Sequence, residues 1–153
     1  MNFRMMKSMK KMLLVACVAM CTVLNLYADN DRIITFAQIP AAAQATVNQY
    51  FDASTIAYVK LDNEFIGKKY EVRFNDGKEI EFESDGSLHK VDCKYTAVPD
   101  ALVPEMVRKQ VVASFPQAFI VEWGKDDMGW KAELNNQLEI KFNRSLEMIG
   151  IDD

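Results

Sequence analysis

The 153-residue sequence has one histidine, three cysteines, four prolines and six glycines, and each scarcity excludes something. A lone imidazole cannot build a histidine metal site. A serine triad would have to recruit His89, and no Gly-x-Ser-x-Gly elbow is present to expose its nucleophile. No apolar run reaches the ~20 residues that span a bilayer as a helix. Bases are also few once the N-terminus is set aside. Nothing in the chain is low-complexity.

The N-terminus reads as a secretory signal peptide over residues 1–28. Arg4, Lys7, Lys10 and Lys11 form a cationic start, and Met12 to Leu26 is an apolar core of 15 residues. Ala28 then offers a small residue for cleavage ahead of the polar Asp29-Asn30-Asp31. Leu14-Val15-Ala16-Cys17 resembles a lipobox, but apolar residues continue past Cys17, so ordinary cleavage near Ala28 fits better. The expected location is periplasmic or secreted, with no membrane segment in the mature form. Cys17 and Cys21 leave with the leader, so Cys93 stands alone and no internal disulfide can form. All 22 acids but only 14 of the 18 bases follow Ala28, which gives the mature 125 residues a formal charge of −8. That balance argues against a nucleic-acid partner, whose phosphates need a basic surface.

What is present is a repeat. An offset of 64 sets Ile39-Pro40 on Val103-Pro104, Val47 on Val111, Phe51 on Phe115 and Ile56 on Ile120. An offset of 60 then sets Asn75 on Asn135 and Glu79-Ile80-Glu81-Phe82 on Glu139-Ile140-Lys141-Phe142. Two further residues drop out before Ser87-Leu88 aligns with Ser145-Leu146. The expected units are residues 29–94 and 95–153, joined by the short apolar connector Tyr95 to Leu102 and packed as one compact body.

Each copy opens with a helix. Pro40 and Pro104 suit its first turn, and Ile39, Ala43, Val47, Tyr50 and Phe51 (Val103, Val107, Val111 and Phe115 in the second copy) recur at helical spacing. Strands follow: Ile56 to Leu61 and Phe119 to Trp123 as apolar runs, then Tyr70 to Phe74 and Trp130 to Leu134 in strict alternation. Asn75-Asp76-Gly77 and Ser84-Asp85-Gly86-Ser87 have turn chemistry, with Lys78 to Glu83 between them and Leu88 to Cys93 after. Gln137 to Phe142 and Ser145 to Ile151 are the later counterparts. The fold class is therefore α+β, two tandem repeats of one helix on a four-stranded antiparallel meander, with one sheet face under the helices and the other in water.

The succession Ile39-Pro40, Phe51, Tyr70-Glu71-Val72, Asn75-Asp76-Gly77, Glu79 to Phe82, Asp85-Gly86, Val91-Asp92-Cys93 and Val103-Pro104 resembles the PepSY-like, β-lactamase-inhibitor-like (BLIP-like) small exported proteins of Gram-negative bacteria. Leu88 stands where such families often carry an aromatic, and Gln137 and Arg144 replace the turn glycines in the second copy. The resemblance implies tandem helix-and-sheet units and export. It also implies that inhibitor-like members engage a partner protein through the exposed sheet face.

Catalytic groups are scarce. His89 and Cys93, four residues apart on a strand, fall on one side but about 13 Å from each other. Carboxylate pairs such as Glu79 with Glu81, or Glu139 with Glu83, could serve a hydrolase only in a cleft that separates their pKa values. No cofactor is expected. Calcium could be sought at Asp29-Asn30-Asp31, Asn75-Asp76-Gly77, Asp85-Gly86 or Asp126-Asp127, none of which has a complete EF-hand loop. The outward strand positions are more informative. They are Glu71, Arg73, Glu79, Glu81 and Glu83 in the first copy, a mostly acidic ladder, and Lys131, Glu133, Glu139 and Lys141 in the second. Trp123, Trp130, Tyr58 and Tyr95 are the aromatics that could anchor a partner. The sequence thus points to an exported, non-enzymatic binding module, possible inhibitor or regulator of an envelope protein; a small-ligand or calcium-responsive sensor and a carboxylate hydrolase are the alternatives.

Overall fold

The computed structural model describes residues 31–64 and 67–153. The expected signal peptide, with Cys17, Cys21 and the Asp29-Asn30 part of the first acidic loop, lies outside the described residues. Asp31 to Asp153 form one compact unit.

Each helix begins directly after its proline. Pro40 and Pro104 sit outside the first turn, and their carbonyls accept from Gln44 N and Arg108 N at 3.0 and 3.1 Å. Helix α1 spans Ala41–Tyr50 and α2 spans Glu105–Ser114. Each ends as a phenylalanine turns away, Phe51 donating to Val47 O and Phe115 to Val111 O. Only Ala43 and Val47 of α1, and Val107 and Val111 of α2, are buried, so each helix gives one narrow stripe to the core.

The strands are β1 Arg32–Ile34, β2 Ile56–Glu64, β3 Gly67–Phe74, β4 Glu79–Glu83, β5 Leu88–Asp92, β6 Ile120–Asp126, β7 Gly129–Leu134, β8 Glu139–Asn143 and β9 Met148–Asp152. They make a single antiparallel sheet in sequential order from β1 to β9. Two four-stranded meanders are thus fused through β5 and β6, where Lys90, Val91 and Asp92 face Gly124, Trp123 and Glu122. Two backbone bonds just beyond β5 extend this seam, Cys93 N to Val121 O and Val98 N to Ile120 O, at 2.8 and 2.9 Å. The fusion and β1 are additions to the sequence expectation. Three residues carry too little alternation to announce a strand.

Alternation sends Val59, Val72, Phe74, Ile80, Phe82 and Val91 to the same side as Trp123, Ala132, Leu134, Ile140 and Phe142, where they share one core with both helix stripes. The helices therefore lie on one face, and the other face is open. Burying such side chains contributes about 1.5–3 kcal/mol each.

The repeat extends to irregularities. A bulge interrupts β2 between Ile56 and Tyr58 and β6 between Ile120 and Glu122; another falls at His89 in β5, opposite Glu81 and Phe82, and at Ile149 in β9, opposite Lys141 and Phe142. The second tight turn corrects the alignment. Gly86 N donates to Glu83 O and Leu146 N to Asn143 O, and both residues have positive φ, 85° and 64°. The offset of 60 therefore runs through this turn: Leu146, not Arg144, stands for Gly86, and Met148 for Leu88. At the first turn Gln137 (φ 71°) does stand for Gly77 (φ 89°). The copies solve the second turn differently. A Cβ on Gly86 would come within 2.9 Å of Pro40 Cβ, so α1 approaches closely there. On the other copy Gln110 of α2 bridges the turn instead, donating to Leu146 O at 2.8 Å and accepting from Met148 N at 3.0 Å.

Candidate functional site

All nine sequence-selected residues lie on the four strands expected to carry them, Glu71 and Arg73 on β3, Glu79, Glu81 and Glu83 on β4, Lys131 and Glu133 on β7, Glu139 and Lys141 on β8. Their strand neighbours Val72, Ile80, Phe82, Ala132 and Ile140 are buried, so the nine occupy the open face.

Register orders that face into rows. Glu79, Asp92, Glu122, Glu133, Glu139 and Asp152 follow one another as directly opposed positions from β4 to β9. Beside them runs a second row, Lys90, Gly124, Lys131, Lys141 and Gly150, from β5 to β9. Six adjacent carboxylates repel one another unless cations lie alongside, and the lysine row supplies these. Lys90 reaches Glu122 at 3.2 Å, and Lys131 reaches Glu139 at 3.0 Å and Glu122 at 3.6 Å. Lys141 reaches Asp152 at 2.5 Å. Glu122, 8 % exposed, is held between two lysines. The pKa of Lys131 is raised: its burial works the other way but is outweighed by Glu139 and Glu122.

In the first repeat the expected acidic ladder is largely neutralised. Lys60 on β2 contacts Glu71 at 3.0 Å and Asp31 at 3.1 Å, and Arg73 bridges Glu71 and Glu79. Tyr58 donates its hydroxyl to Glu71 at 2.9 Å. Glu83 takes Lys125 at 2.6 Å and His89 at 3.0 Å. Lys60, Lys90 and Glu122 escaped the sequence reading because they lie in or beside runs read as apolar or as turn-flanking. Glu133 makes no ion pair among the described residues, and Glu81 has only His89, at 3.9 Å.

These contacts carry an acid prediction. Burial alone would raise the Glu71 carboxyl, but Lys60, Tyr58 and Arg73 together hold it below its ordinary 4.5; Lys125 and His89 likewise outweigh burial at Glu83. A depressed native pKa stabilises the fold above the ordinary carboxylate value, and that contribution is lost as pH falls through the native value. The melting temperature should therefore drop on acidification below about pH 4.5. Glu71→Gln should flatten that slope while costing roughly 1 kcal/mol at neutral pH, as partly exposed pairs do. A wild-type and variant with parallel melting curves across pH 3–6 would contradict this.

The remaining candidates are placed as follows. Glu79 and Glu81 are two residues apart on one strand, engaged with Arg73 and His89 respectively. Glu83 and Glu139 lie four strands apart, about 19 Å at ordinary strand spacing, so neither pair shares a cleft. His89 and Cys93 do not share a side. The bulge opposite Glu81 and Phe82 turns His89 to the open face, while Cys93 is buried in the core. Burial pushes the Cys93 thiol up to about 11. A thiol reagent at neutral pH should thus label Cys93 only on unfolding; rapid stoichiometric labelling of native protein would contradict its placement. The acidic turns close on themselves: Asp76 accepts from Lys78 N, Asp85 from Ser87 N and Asp126 from Asp127 N. Among the described residues, no three His, Cys, Asp or Glu side chains converge as metal ligands. Of the aromatics, Trp123 is buried and stacks on Trp130 with ring centroids 5.1 Å apart; Tyr58 belongs to the charged network, and Tyr95 is 91 % exposed.

A family described as "Putative beta-lactamase-inhibitor-like, PepSY-like" matches residues 68–150. Several solved structures are similar, among them three from Bacteroides. A "putative periplasmic protein" of Bacteroides vulgatus is 34 % identical with a TM-score of 0.78, covering 82 % of this chain and 99 % of its own. A "putative calcium-regulated periplasmic protein" of Bacteroides thetaiotaomicron is 35 % identical with a TM-score of 0.75, covering 81 % and 98 %. A second Bacteroides vulgatus protein, "of unknown function", is 26 % identical with a TM-score of 0.75, covering 81 % and 100 %. No curated protein matches.

Proposed function

The chain belongs to the PepSY-like, β-lactamase-inhibitor-like family, and from that premise we propose that it is a non-enzymatic binding module of the cell envelope that takes a basic protein surface on its open sheet face. Periplasmic residence is supported by similarity to proteins described as "putative periplasmic" and by the signal-peptide pattern in the sequence of residues 1–28. The observation that carries the binding reading is that Glu133 of the six-carboxylate row, and Glu81 beside that row, make no ion pair with a lysine or arginine among the described residues. A partner presenting lysine or arginine to these two positions would complete pairs that the protein itself leaves open, and would be steered by the mature charge of −8.

The test is affinity capture from envelope extract with mature protein, beside a Glu81→Lys/Glu133→Lys variant of unchanged melting temperature. Retention of one protein by the wild type, lost in the variant and on raising salt from 50 to about 300 mM, is the expected outcome. Equal retention by both would overturn the reading.

A calcium-responsive role is the second reading, favoured by similarity to the Bacteroides thetaiotaomicron protein. A raised melting temperature in millimolar calcium, reversed by chelator, would support it; an unchanged one would sink it.

A further inference from the structure

We propose that the outer edge of β9 is a docking site for β2 of a second copy of this chain, taken by displacing that copy's β1. The proposal goes beyond the open face and concerns the sheet edge.

The internal seam is the template. At β5–β6, Lys90 faces Gly124 and Val91 faces Trp123. By the offset of 64, Gly124 and Trp123 are Lys60 and Val59 of β2. There β1 occupies the equivalent edge, with Ile33 facing Lys60 and Ile34 facing Val59, also antiparallel. So β1 fills on β2 the place that β5 fills on β6. By the offset of 60, the strand equivalent to β5 is β9, with Gly150, Ile151 and Asp152 for Lys90, Val91 and Asp92. Among the described residues nothing pairs with its outer edge. Val91 is fully buried by the seam, whereas Ile151 is 49 % exposed.

Chemistry at the two places matches. In the internal seam a lysine stem lies over a glycine, with a Cβ on Gly124 only 3.0 Å from Lys90 Cβ, and Glu122 two residues along takes the ammonium. Seating β9 on the β2 of another copy sets Gly150 against Lys60, with Asp152 two residues along. The pairing is the same with the roles exchanged across the seam. Gly150 has room, its nearest neighbour being Lys141 Cβ at 3.9 Å. Ile151 takes the place of Ile34 beside Val59, and Asp152 replaces the Asp31 carboxylate that leaves with β1. β1 is the weaker cover, being three residues long with Ile33 67 % exposed, against five residues in β9. The contact is head-to-tail and continues one sheet from copy to copy, so it extends past a dimer into a filament or a larger closed ring.

Ile34→Asp unseats β1 while leaving β9 intact. Sedimentation velocity of this variant should show species that grow with concentration past the dimer, and adding Ile151→Asp should return it to monomer. A folded Ile34→Asp protein that stays monomeric, or one whose association survives Ile151→Asp, overturns the proposal. If Ile34→Asp does not fold, the mature chain carrying Lys60→Cys and Gly150→Cys decides. A covalent ladder beyond dimer under oxidising conditions, absent from either single variant, supports exchange. No ladder, or dimers alone as a β9–β9 contact would give, overturns it.

Discussion

Trp123→Ala should destabilise the protein by about 4 kcal/mol, in the range for emptying a buried aromatic site. Trp123 is 1 % exposed, lies parallel to Trp130 at 5.1 Å and meets the edge of Phe142 at 5.8 Å. It also faces Val91 across the seam that fuses the repeats, so its loss empties the core where the halves meet. Stacked pairs of this kind add about 0.5–1.5 kcal/mol beyond area burial. Urea unfolding followed by circular dichroism gives the number. A loss under 1 kcal/mol would mean the seam is not packed as described.

Gly129→Ala carries the second large effect, about 3 kcal/mol, at the upper end for overpacking. A Cβ at Gly129 would stand 2.3 Å from the Phe142 carbonyl oxygen and 2.7 Å from the Asn143 carbonyl carbon. These are backbone atoms of the adjoining strand, so no side-chain rotation relieves the clash and β7 must part from β8. Gly150→Ala is the control. Its Cβ meets nothing closer than 3.9 Å, and it should change stability by no more than about 0.5 kcal/mol. Equal effects at the two glycines in thermal melts would contradict the placement of β7 against β8.

The architecture was legible because the repeat carries two periodicities. Val47 and Val111 at helical spacing, and Ile80 with Phe82 against Ile140 with Phe142 at strand spacing, fix which faces are buried, and burial dictates register. Besides the short β1, three features were not legible. The Leu146 turn was misaligned because matching Ser-Leu pairs outweighed a backbone requirement: the position needs positive φ, which glycine adopts freely and leucine adopts here at 64°. His89 was assigned to the side of Cys93 by simple alternation, which one bulge reverses. The continuity of the sheet was hidden because β5 and β6 are separated by a connector and a helix, and nothing local records their pairing.

The candidate face was legible in its acids but not in its neutralisation. Alternation found Glu71, Glu79, Glu133 and Glu139. It could not show that Lys60 and Lys90 reach over from adjacent strands, since that depends on cross-strand register. The face therefore reads from the sequence as an acidic ladder, and from the structure as paired rows in which Glu81 and Glu133 lack a lysine or arginine among the described residues. That difference narrows the proposed binding surface from nine residues to the neighbourhood of Glu81 and Glu133.

Site-specific photo-crosslinking in the living cell tests the open-face reading most directly. A photoreactive residue at Lys90 or Lys131, which lie on the open face near those two carboxylates, should give one discrete adduct with an envelope protein. The same residue at Val112, 60 % exposed on α2 on the opposite side of the sheet, should give none. Adducts formed from Val112 and not from the strand positions would place recognition on the helices and contradict the account.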